Sequence, residues 1–145
     1  MGHNVVAMTA KELLQIQFDD AGYMLDKAFD GIDKSLDAKL TEQSMTPREL
    51  AAHLAECYTA ILSETKGEKH QWGSYKPQSL EWPALWNELK DLRARATEAA
   101  VNKEGWEAHA NGFGPAHDYY HVGQLVALRL TKDPEWDPLS IYNWG

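Results

Sequence analysis

The segment HDYYHVGQLVALRL, residues 117–130, places two histidines four residues apart at the head of an apolar stripe. At 100° per residue, His117, His121, Gln124, Leu125 and Leu128 fall within one sector, so the imidazoles face where the leucines face. A second helical pattern carries His53 one turn after Leu50 and one turn before Cys57, again on an apolar face. Imidazole nitrogen suits zinc, nickel, copper or iron, and an i, i+4 pair lets two rings of one helix reach the same ion. Three inward imidazoles near helix starts could converge on one divalent metal and leave a coordination position for water or substrate, as catalytic zinc sites do. The positive end of a helix dipole disfavours imidazolium and so favours the neutral, ligating form. The competing reading is that each ring is a hydrogen-bonded core histidine.

Several neighbours bear on this chemistry. Cys57 is the obvious fourth ligand for a closed site, although a buried cysteine is more often a small hydrophobe. Glu56 and Asp118 fall beside the inward sector, where they are either acceptors or a proton relay behind the ligands or, by default, solvated surface carboxylates. Gln124 could orient a ring or a water, or be a core amide bonded to backbone. His70 and His109 lie in segments read as loops, with no partner at ligand spacing, and are expected at the surface. His3 could chelate together with a free amino terminus, or simply belong to a flexible chain end.

These residues need helices to position them. Thr9 and Glu12 form a T-x-x-E capping pattern ahead of Leu14, Phe18, Ala21, Leu25 and Ala28, which predicts a helix over 10–29. The polar stretch 31–44 reads as a connection with room for a helical turn. Thr46, Pro47 and Glu49 mark the start of a second helix running to about Lys66, with Gly67 as its stop. Residues 67–82 form a loop long enough to cross an end of the domain. Pro83 then opens a third helix to about Asn102, with a stripe of Leu85, Leu89, Leu92, Ala96 and Ala99. Three glycines in KEGWEAHANGFGP break any regular pattern, and Pro115 begins a fourth helix to about Thr131. The tail, with two prolines and three large aromatics, is too broken for helix and too apolar to stay free, so it is expected to lie across the helices or a partner.

Four amphipathic helices without a convincing strand predict an all-α four-helix bundle, folded as one domain over 1–145. If the second and fourth helices run parallel, the histidines converge at once; if antiparallel, their offset must bring them level. Ala116, Gly123 and Ala127 form a stripe of small residues that would admit a close neighbour from this chain or a second copy. The 145 residues carry a formal charge of −8, from 22 acidic against 14 basic residues, which makes nucleic acid a poor partner. A single cysteine, Cys57, excludes an internal disulfide and suits a reducing compartment. The first residues have no secretory pattern, and no segment is apolar enough to cross a bilayer, so a cytoplasmic protein without a membrane partner is expected.

The histidine in TPRELAAHLAE (46–56), followed by H-x-x-x-H in HDYYHVGQLVALRL (117–130), resembles the DinB/YfiT-like superfamily of small helical metalloproteins. The likeness covers most of the chain as an order of helices. It implies that His53, His117 and His121 form the metal triad of a four-helix bundle, with water completing the coordination of zinc, nickel or iron. It also implies a homodimer. Some branches are transferases or isomerases that use a low-molecular-weight thiol; others resemble metal-dependent hydrolases. No basic motif for an acidic thiol is found here. The expected function is a metal-dependent enzyme acting on a small-molecule substrate, with an activated thiolate or hydroxide as nucleophile. The alternative is a non-catalytic metal-binding or interaction module.

Overall fold

The computed structural model describes residues 6–143, which leaves His3 outside the described residues. Every regular element among them is helical. They are α1 (Ala10–Phe29), α2 (Pro47–Thr65), α3 (Ala84–Val101), α4 (Glu107–Phe113) and α5 (Pro115–Lys132), with 3-10 turns at Asp33–Ser35 and Pro138–Ile141.

The helix starts follow from their caps. The Thr9 hydroxyl accepts from the Glu12 amide at 3.1 Å. At α2 the box is reciprocal, because Thr46 Oγ1 accepts from Glu49 N at 3.1 Å while Glu49 Oε1 accepts from Thr46 N at 3.4 Å. Helix α2 ends at Thr65, and Gly67 takes the left-handed turn expected of a stop, with φ of 81°.

Two of the predicted boundaries need correction. The segment read as irregular before Pro115 contains α4, a helix of seven residues that buries Ala110 and half-buries Trp106 and Phe113 against the core. It escapes pattern recognition because two turns are too few to show a period and Gly112 lies inside it. Helix α3 begins one residue after Pro83, and its buried stripe closes on Ala100 rather than Ala99.

Side-chain pairings fix the helix directions. Arg93 of α3 bonds to the Phe18 carbonyl and Lys11 to Asn102, so α1 and α3 are antiparallel. Arg129 bonds to the Ala28 carbonyl, while Tyr119 lies against the carbonyl of Gln17, so α1 and α5 run together. Lys103 reaches the Thr65 carbonyl and Arg48 the Leu80 carbonyl, so α2 and α3 are parallel. The connection between them therefore returns along the length of the helices, about 27 Å for the 18 residues of α3, instead of crossing one end. Helices α2 and α5 are left antiparallel, which is the arrangement that needs an axial offset to bring the histidines level.

A continuous apolar core links α1, α2, α3 and α5 through Phe18, Phe29, Leu54, Tyr58, Leu89 and Leu125, among others. The tail lies back on α1, burying Ile141, and Trp136 covers the Arg129 guanidinium at 4.4 Å. That guanidinium donates to the carbonyls of Ala28 and Asp30 and so satisfies carbonyls that the C-terminal end of α1 leaves without a helical partner. The stripe of Ala116, Gly123 and Ala127 is solvent-exposed, and apart from the chain neighbours and backbone of its own helix no described atom comes within 4 Å of the position a Cβ would take on Gly123. No neighbour within the described chain uses it. No helix among the described residues is long and apolar enough to cross a membrane.

Candidate metal centre

His53, His117 and His121 meet. One ligand nitrogen from each lies within 4.8 Å of the other two. The His53 ring stands edge-on to both others, with centroids 5.5 Å from His117 and 5.0 Å from His121. The offset between the antiparallel helices is set close by, where Tyr58 of α2 donates to Asp118 of α5 at 2.5 Å. Helix α5 also begins at a point that tolerates no side chain: a Cβ on Gly114 would lie 2.5 Å from the Phe18 ring and 2.7 Å from the Ala110 carbonyl. That close approach seats the first turn of α5, and with it His117, against α1 and α4.

Each imidazole is set up as a neutral donor. Burial lowers the His117 pKa to about 4, with further repulsion from His121 and His53. His53 is lowered by burial against the pull of Glu56, and His121 by burial against its bond to Gln124. Gln124 does orient a ring, since its Oε1 accepts from His121 Nδ1 at 2.7 Å and its amide nitrogen donates to the Tyr120 hydroxyl at 3.1 Å. With its proton fixed on Nδ1, His121 presents a lone pair at Nε2. That nitrogen faces His117 Nε2 at 2.9 Å. Across a tetrahedral zinc, two imidazole nitrogens sit about 3.3 Å apart, given Zn–N bonds of about 2.0–2.1 Å. His117 Nδ1 is buried without a partner, so one polar atom of the cluster is left unsatisfied by protein. Three neutral, mutually facing imidazoles with an oriented tautomer form a donor set that fits a divalent transition metal.

Cys57 adjoins this group without joining it. Its Sγ lies 3.7 Å from His53 Nε2, the residue is buried, and burial together with the charges of Asp118 and Glu56 pushes the thiol up to about 12. The small-hydrophobe reading describes it well.

The expectations for the flanking carboxylates need correction. Asp118 is fully buried, not solvated. It accepts from Tyr58 on one oxygen and from Arg93 Nη2 at 3.0 Å and Nε at 3.3 Å on the other, while Arg93 also donates to the Phe18 carbonyl at 2.7 Å. Glu56 is likewise engaged: its Oε1 accepts from His70 Nε2 at 3.0 Å and from the Gly73 amide at 2.6 Å. Burial raises the Glu56 pKa, but these bonds outweigh it and hold the carboxyl below its ordinary range. His70, expected at the surface, is consequently buried. His109 is exposed as expected, although it lies in α4 and bonds to Glu64 at 3.2 Å.

Sequence reasoning missed Arg93, Tyr58, Trp72 and Phe113. Tyr58 had a signal, since Leu54, Tyr58 and Ile61 recur at helical spacing and all are buried. Arg93 stands one turn after Leu89, but nothing local names its partner 25 residues later. No family model, curated protein or solved structure matches this chain.

Proposed function

We propose that the chain is a single DinB/YfiT-like four-helix-bundle domain and a metal-dependent enzyme acting on a small molecule. In this reading His53, His117 and His121 hold zinc, nickel or iron with one position open. The supporting observation is the meeting of three neutral imidazoles from two antiparallel helices, one of them tautomerically fixed by Gln124. A bound divalent ion would supply Lewis acidity, bringing the pKa of bound water toward about 7 and deprotonating a bound small thiol. The protein's own groups hold the ligand rings, while Glu56 and Asp118 are occupied by bonds to His70, Gly73, Tyr58 and Arg93. A hydrolase or a thiol-dependent transferase is the reaction class, in a cytoplasmic protein. The exposed stripe of Ala116, Gly123 and Ala127 would serve a homodimer, which light scattering would reveal.

One observation favours the second reading, a non-catalytic metal-binding module. Cys57 Sγ lies close enough to His53 to close the coordination sphere after a small movement. Metal analysis separates the readings. Wild-type protein should retain about one cobalt or zinc ion per chain and His121→Ala essentially none. Cys57→Ala should keep the ion, with no thiolate-to-cobalt charge-transfer band in the parent. Equal, negligible metal in wild type and His121→Ala would remove the site, and loss of the ion in Cys57→Ala would establish the closed form.

A further inference from the structure

Trp72 is 56 % exposed, yet the chain on both sides of it is pinned. His70 Nε2 and the Gly73 amide donate to the same oxygen of Glu56, which lies on α2 three residues after His53. Gly73 adopts φ of 87°, a left-handed conformation that side chains disfavour, at the point where its amide bonds to that oxygen. The His70 ring meets the indole edge-on at 4.8 Å. Holding a large ring in place while leaving it in water sacrifices conformational entropy without the offset of full apolar burial.

The direction of that ring explains the arrangement. Trp72 packs at right angles to Phe113, with centroids 6.0 Å apart, and Phe113 in turn packs on the ligand ring of His117 at 6.3 Å. The rings form a continuous aromatic path from solvent to the histidine cluster. On the other flank, Tyr120 is 64 % exposed and stands 5.0 Å from the His121 ring. Phe113 and Tyr120 thus border the histidine rings, and the indole of Trp72 extends that aromatic surface outward from Phe113.

We propose that Trp72 and Phe113 form an aryl-binding wall beside the metal, so that the small molecule taken by this site carries a flat aromatic group next to its metal-directed atom. This rests on the metal reading above and names the substrate class for it. Offset or edge-to-face contact with the indole supplies the recognition, and the loop anchor at Glu56 keeps the indole at a fixed distance from the ion.

Cobalt-loaded protein titrated with imidazole and with 4-phenylimidazole, followed by the visible cobalt spectrum, tests it. Both probes offer the same ligating nitrogen and differ by one aryl ring. The wild type should bind 4-phenylimidazole at least tenfold tighter than imidazole. Trp72→Ala should shrink that ratio about fivefold or more while leaving imidazole affinity unchanged, and Trp136→Ala, at the tail, should leave the ratio alone. Equal affinities for the two probes in wild type, or a ratio that survives Trp72→Ala, would overturn the aryl wall and leave the metal centre standing. Failure of wild-type protein to develop a cobalt spectrum would overturn both.

Discussion

His117 and Asp118 are consecutive residues, yet they belong to polar clusters of opposite character. Asp118 has both oxygens bonded, by Tyr58 and by Arg93, and Arg93 is bonded in turn to the Phe18 carbonyl. His117 has one nitrogen facing another imidazole at 2.9 Å and the other buried with no partner. The first cluster is complete within the protein and ties α1, α2, α3 and α5 together. The second is incomplete: His117 Nδ1 has no protein partner, while its Nε2 and that of His121 are turned toward each other, where a cation would bind. A buried polar group that is fully bonded serves architecture; imidazole nitrogens held neutral and turned toward one another are set up for a ligand.

Breaking the complete cluster should produce the largest effect. Asp118→Ala leaves the Arg93 charge largely buried without its anion, and chemical denaturation should show a loss of about 3–5 kcal/mol. A loss below 1 kcal/mol would show that Arg93 escapes to water and that the cluster does not bind the helices together. The matched change in the incomplete cluster is Gln124→Ala, which frees the His121 ring to change tautomer. Cobalt affinity should fall about 10–100-fold, with stability of the metal-free protein nearly unchanged. An unaltered affinity would mean that Gln124 does not set the ligand.

A smaller effect follows from protonation. The folded pKa of His117 is about 4, below its ordinary value near 6.5, and His53 and His121 are displaced in the same direction. Between these values the unfolded chain binds protons that the folded chain refuses, so the stability of metal-free protein should fall as the pH drops from about 6.5 to about 4. Below that range these groups add no further slope. Urea midpoints measured across the interval should flatten in His117→Gln; an identical slope in the variant would place the titrating groups elsewhere.

The same contrast explains what could be read from the sequence. The limits of α1, α2 and α5 were legible because Thr9, Thr46, Pro47 and Pro115 mark them chemically. The three histidines were legible because each shares a helical sector with leucines. The buried arc of α5, however, is centred on Asp118, Val122, Leu125 and Arg129, and His117 and Gln124 lie at its edge. That placement leaves His117 half-open while His121 is buried. It also hid Asp118, because a carboxylate counts as surface until its cation is known, and Arg93 is distant in the chain. The anchoring of His70 and Gly73 on Glu56 was illegible for a similar reason: a long loop acquires its path from contacts and carries no period of its own.

Gly114 is the only residue between α4 and α5, with the Phe113 ring just before it and His117 one turn after. The angle between those helices is thus written in the torsions of one backbone unit. The separation between an aromatic face and a metal-directed nitrogen is inherited from that angle, so the shape of the entrance is encoded where the chain has no side chain at all.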